Sequence, residues 1–406
     1  MITTKKRIFI ALFYLVVAAV LGIVLRLFPI TNINATYKYI VHTHSHIALL
    51  GWVYIALTTV LYHVGIHTNQ IKKYRLIFWS TQFTIIGMLL SFPFIGYALY
   101  SIIFSTLFLF CSYWFYFFFK KNHTLNPTSI SCKFIATSLL FMVISSIGPW
   151  LLGIIMNTVG TTSHWYKNAI YFYLHFQYNG WFIFCLIGLF YFILEKKQIQ
   201  FSLKRAQLFY QLMLISCLLT LFLSFLWIKP PMIVYGIAGI GAVLQVFAFT
   251  VFYQQLKAIR VAIKNSFNLN IYLLLQLVLV FFFLKVILQS ATSIPYFAAL
   301  TATIVDFVVG YLHLIFLGIV TVSTFVILNY FELIQLPKFW ARMYLIGFIT
   351  SEILIFYKGF STWQQFYLPE NYFIYLVICS ALMPIGILGI FYKNATTIFP
   401  TQVKSV

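Results

Sequence analysis

The chain has 406 residues, 63% of them hydrophobic and 20% aromatic, with 8% charged and a mean hydropathy of +0.98. Soluble domains carry about 25% charged residues, so this composition excludes a water-soluble globular protein and leaves an integral membrane protein. The formal charge of +21 arises from 26 Lys and Arg against 5 Asp and Glu. Those cations sit in short loops between apolar runs, which argues for membrane orientation and against a nucleic-acid partner.

Runs of about 20 apolar residues cross a bilayer as helices. Twelve follow one another at 7–28, 39–63, 74–96, 97–119, 131–156, 168–194, 205–228, 232–256, 268–290, 303–329, 339–357 and 371–394. The first follows "TTKKR", is too long for a signal-peptide core, and is followed by no small-residue cleavage site; it reads as a retained anchor. With the N-terminus inside, twenty of the 26 cations fall on inner segments, from Lys5, Lys6 and Arg7 through to Lys393 and Lys404. Lys38, Lys167, Lys229 and Lys358 fall outside, while Arg26 and Lys285 lie within spans. Cytoplasmic loops are rich in Lys and Arg, and the alternation holds at every loop. The expected fold is all-α: one polytopic membrane domain of twelve transmembrane helices, both termini cytoplasmic, in contact with the lipid bilayer. The five cysteines are scattered over five spans and read as small buried hydrophobes.

Spans 2, 6 and 10 share a pattern. They read "HSHIALLGW", "YLHFQYNGW" and "YLHLIFLGI", each with a histidine five residues before a glycine: His46/Gly51, His175/Gly180 and His313/Gly318. The recurrence every four spans implies three pseudo-repeats, at 7–120, 131–257 and 268–394. Five residues turn an α-helix about 140° past one revolution. The glycine is therefore expected to admit a neighbouring helix and not to share the histidine's role.

All three spans enter from the outer face, and at 1.5 Å per residue the three histidines lie in about the outer third of the membrane. His42 and His44 lie just above, and His164 leads into span 6, so six of nine histidines occupy one layer. His63, His67 and His123 lie on the inner side. Imidazoles gathered at one depth suit iron, copper or zinc, and the scarcity of carboxylates disfavours a hard cation. The competing reading makes each histidine a hydrogen-bonding strut between helices. His42 and His46, four residues apart, share a helix face, whereas His44 is about 200° away and serves the opposite side. Tyr311, Tyr178, Gln177 and Asn179 lie near these histidines, as pocket lining or as core packing.

These residues resemble a known family. "HSHIALLGW" is similar to the H-x-H-x-x-x-L-G-W pattern of C-type heme–copper oxidases and to the H-A-H-E-x-L-F-G pattern of the NnrS family, twelve-span heme- and copper-binding proteins. "HLIFLG" resembles the histidine helices of both families, and "HFQYNGWF" is similar to "HLWVEGVW" of nitric-oxide reductases. The resemblance implies twelve spans in three pseudo-symmetric four-helix arcs and a b-type heme with His46 and His313 as axial ligands. It offers His42, His44 and His175, with His164 nearby, to copper or another second metal, and Arg26 and Lys285 to the heme propionates. It further implies respiratory electron transfer or nitric-oxide handling, an oxidoreductase if an enzyme, a redox partner protein, and the bacterial cytoplasmic membrane. Span 7 contains no histidine, and Tyr311 stands where the oxidases have the first histidine of span 10, so the likeness is nearer to NnrS than to an oxygen reductase. Two other assignments stay open for the cations: Arg26 snorkelling to the surface and Lys285 pairing with Asp306. Another class also stays open: a proton-coupled secondary transporter, or a metal or heme transporter, with helices interrupted at Pro93, Pro149 and Pro384.

Overall fold

A computed structural model describes residues 3–399, so Lys404 lies outside the described residues. These residues are helical, with a single isolated bridge between Ile66 and His123. Twelve helices are long and apolar enough to cross a membrane. They are Thr4–Leu27, Tyr37–Gly65, Thr68–Ile95, Leu99–Asn122, Ile130–Thr158, His164–Lys196, Leu203–Ile228, Met232–Ala258, Leu269–Ala291, Val305–Tyr330, Lys338–Gln364 and Tyr372–Ile398, here spans 1 to 12. The chain is thus an all-α polytopic membrane protein. Helices exceed the apolar runs most at the start of span 3 and the end of span 11, where polar residues prolong the hydrogen-bonded backbone beyond the greasy core.

The polypeptide forms two compact units. Among the described residues the first holds 3–124, 324–361 and 366–399; the second holds 125–323 and 362–365. In the first unit span 1 packs against spans 2 and 12, with Phe9 stacked on Phe391 at 4.3 Å. Spans 3 and 4 pair with one another, as do spans 11 and 12. In the second unit span 5 pairs with span 6 and span 7 with span 8, where Phe209 stacks on Phe252 at 4.6 Å. Span 9 joins spans 8 and 10.

Spans 2, 6 and 10 are the most enclosed helices: 83%, 89% and 67% of their apolar windows are buried, against 50% or less elsewhere. Each also changes winding at the same place. The α-helix ends on the histidine and a π-helical stretch follows directly, at Ile47–Tyr54 after His46, Phe176–Phe182 after His175 and Leu314–Thr321 after His313. π turns are rare, and within α-helices they concentrate at functional sites. All three stretches begin on the residue after the motif histidine. Helix interruption is sparser than the prolines suggest. Only Pro149 accompanies a break, between Ser145 and Ile147, whereas Pro93 and Pro384 lie inside helices that run past them.

Two of the three motif glycines, Gly51 and Gly180, admit neighbours. A Cβ on Gly51 would come within 2.8 Å of Tyr14 on span 1, and one on Gly180 within 2.7 Å of Phe141 on span 5. In both cases the neighbour is the preceding span, so the two glycines are packed alike. Replacing Gly51 or Gly180 by Ala forces these helices apart and is expected to destabilise the protein by about 1–3 kcal/mol. Gly153, around which a Cβ would meet nothing within 4 Å, is the control: Gly153→Ala should leave the melting temperature in detergent unchanged or raised.

Candidate functional site

The span 2 histidines sit on the first turns of a helix entered at Thr36. His42 and His46 share a face: both rings meet Tyr97, at 4.6 and 5.8 Å, and both meet Phe92, at 6.3 and 4.4 Å. His44 points the other way, onto span 1, where its ring lies over Gly22 and its Nδ1–H donates to the Ala18 carbonyl at 2.9 Å. His46 donates its Nδ1–H to the His42 carbonyl at 2.8 Å, while the Tyr97 hydroxyl donates to its Nε2 at 3.3 Å. His42 Nε2 is buried without a hydrogen-bond partner.

This arrangement has a chemical meaning. An imidazole that gives Nδ1–H to a carbonyl carries its lone pair on Nε2 and cannot rotate freely, the orientation that metal-bound histidines need. His44 and His46 both meet the condition, on opposite sides of one helix. Tyr97, which covers the His42–His46 face, was not legible from sequence. It lies in the span 3–4 connection, delivered by the positive-φ turn at Gly96, and no spacing rule links it to span 2.

His175, in the second unit, is engaged at both nitrogens. Nε2–H donates to the Cys217 carbonyl on span 7 at 2.8 Å, and Nδ1 accepts from Asn179 Nδ2 at 3.2 Å. It is a strut joining spans 6 and 7, and in this geometry it has no lone pair left for a metal. The network continues through Tyr178, whose ring meets Tyr311 and Phe316 of span 10 at 6.3 and 6.0 Å. The Tyr311 hydroxyl in turn donates to Gln289 Oε1 on span 9 at 3.0 Å. Spans 6 and 10 therefore meet through their tyrosines. His313 ends the first α-helical part of span 10 and is half-buried. His164 is exposed, its ring against Trp227 at 5.3 Å. It lies eleven residues, about 16 Å, along the helix from His175, which separates the two.

The charged residues divide similarly. Lys285 is fully buried, with Nζ lacking any hydrogen-bond partner and 6.0 Å from the Phe282 ring; the pairing with Asp306 does not form. Cys217 and His175 lie within its electrostatic reach. Arg26 is half-buried in the first unit and faces Glu352 electrostatically, with Tyr37 and Tyr372 nearby, so it does not simply snorkel. Glu352 and Arg26 thus lie within electrostatic reach of one another, a coupling that sequence did not name. Arg7, expected among the inner-loop cations, is instead buried at 1% exposure, its guanidinium 4.7 Å from the Tyr74 ring and 5.3 Å from Tyr62. Two aromatic faces replace the water it left.

Among the described residues no three His, Cys, Asp or Glu side chains gather as a metal centre would require. No family model and no curated protein matches the sequence.

The distinction between strut and oriented ring is measurable. His175→Ala removes the bond that ties span 6 to the Cys217 carbonyl and leaves the Asn179 amide without its acceptor in a buried site, and is expected to lower stability by about 2 kcal/mol. His164→Ala, on the surface, should stay within about 0.5 kcal/mol of the parent. Thermal unfolding of the purified variants in detergent compares them.

Proposed function

We propose that the chain is a heme-binding integral membrane protein, of the kind represented by heme–copper oxidase subunit I and NnrS, acting in respiratory electron transfer or nitric-oxide handling. The observation that carries this reading is the pair of imidazoles on span 2, His44 and His46, each with Nδ1–H committed to a backbone carbonyl. Three further features support it: the motif resemblance, the histidine-to-π junction repeated in spans 2, 6 and 10, and the enclosure of those spans.

Bound b-type heme supplies a one-electron couple at its iron. What the chain contributes is orientation and charge. The His42 and Ala18 carbonyls hold the two rings of span 2 in one tautomer, which raises the basicity of Nε2. Tyr97 donates to His46 Nε2, so ligation there by iron requires its hydroxyl to move aside. In the second unit, Lys285 offers a buried ammonium without an acceptor, suited to a carboxylate such as a propionate. Arg26 is the corresponding cation of the first unit, its charge already set against Glu352. His46 and His313 are the residues offered to iron, and copper or another second metal belongs to the same reading. In this reading electrons enter from a redox partner protein. The proposed location is the bacterial cytoplasmic membrane.

Purified protein should carry b-type heme in stoichiometric amount, seen as a Soret band and a pyridine hemochrome. His46→Ala and His313→Ala should each lose that heme or shift its spectrum, while His175→Ala, if folded, should retain it. A colourless preparation, or an unchanged hemochrome yield in both His46→Ala and His313→Ala, would overturn the proposal; solute movement by the colourless protein would favour a transporter.

A further inference from the structure

The expected cytoplasmic ends of spans 7 and 8 frame an open cleft of about 460 Å³, lined by Arg205, Gln254, Lys257, Ala258 and Arg260. Three of its five residues are cations and none is acidic. The second unit holds only two carboxylates, Glu195 and Asp306. Glu195 accepts from the Ser131 backbone N–H and hydroxyl, and Asp306 opens span 10 on the expected outer side. The lining of the cleft thus carries three cations and no acidic side chain to balance them.

The cleft is held in shape by buried contacts behind it. Gln255 donates through Nε2 to the Ser202 carbonyl at 3.3 Å and accepts from the Tyr191 hydroxyl at 2.8 Å. This ties the end of span 8 to the start of span 7 and, with the Phe209–Phe252 stack, fixes Lys257 opposite Arg205. Ser202 caps span 7 by accepting from the Arg205 N–H at 3.3 Å, so the positive end of that helix dipole opens beside the cleft. After Ala258 the chain turns into a short helix, Arg260–Ser266, which brings Arg260 back to the rim. Toward the membrane interior the same two spans expose Leu208, Phe247 and Tyr253. Cations above an exposed apolar surface match a ligand with a phosphate head and hydrocarbon tails.

We propose that this cleft binds the phosphate group of an anionic phospholipid of the inner leaflet. Basic pockets between transmembrane helices on the cytoplasmic side hold anionic headgroups, each nearby Lys or Arg strengthening attraction about fivefold. Arg205 and Arg260 supply planar forks to phosphate oxygens and Lys257 a point charge. The site does not depend on heme.

The test uses the full chain in mixed micelles of phosphatidylglycerol and phosphatidylcholine, with bound lipid counted by native mass spectrometry. The parent should retain phosphatidylglycerol selectively. The combined variant Arg205→Gln, Lys257→Gln, Arg260→Gln should bind it on the order of a hundredfold more weakly, and Arg260→Gln alone about fivefold more weakly. Neutralising Lys72, Lys73 and Arg75 at another inner loop should change nothing. Equal retention by the combined variant, or no preference over phosphatidylcholine in the parent, would overturn the proposal. Displacement of the lipid by equimolar inorganic phosphate would overturn the lipid assignment in favour of free phosphate. All substituted positions are exposed, so the variants are expected to fold, with elution as a single species as the check.

Discussion

A hydrocarbon interior offers no water to a backbone amide or a ring nitrogen, so every polar group carried into it must find its partner within the chain. The backbone meets this demand with helices. The side chains meet it one by one, and the histidine helices show how. His44 turns to a carbonyl on span 1, His46 to a carbonyl one turn back on its own helix, and His175 to a carbonyl on span 7. What differs is the second nitrogen. His175 gives it to Asn179, which makes the ring a cross-brace. His46 instead takes the hydroxyl of Tyr97, an exposed residue of the span 3–4 connection. One residue type in one motif position therefore braces two helices in one copy and meets a hydroxyl from an interhelical connection in another.

The repeat itself is a packing device. In spans 2 and 6 the glycine faces the preceding helix, and a histidine faces the following one: Gly51 to span 1 and His46 to the Phe92–Tyr97 corner of span 3, Gly180 to span 5 and His175 to span 7. The π winding starts just after each histidine and includes the glycine. A side chain cannot be added at either glycine without pushing a whole helix outward, so the position of each imidazole is coupled to the seating of its neighbours.

Charge follows the same logic with fewer partners. Only five carboxylates serve 26 cations, and three cations inside the bundle solve the shortage differently. Arg7 lies on two tyrosine rings, Arg26 faces Glu352, and Lys285 remains with its ammonium unmatched. At the membrane surface the surplus is exposed, and the Arg205–Lys257–Arg260 cleft concentrates it where lipid phosphates lie.

Sequence alone determined the twelve spans, their order and the helical fold class, because hydropathy is a local property that adds along the chain. It also determined that His42 and His46 share a face and His44 does not, since helix geometry converts spacing into direction. Tertiary structure decided the rest: that Arg7 is buried, that Glu352 answers Arg26, that Tyr97 covers His46, and that His175 has both nitrogens engaged. Each of those depends on which residue of a distant segment of the chain arrives beside the group. The partner of a buried polar group is chosen by packing across helices, and the local pattern of a single helix carries no record of that choice.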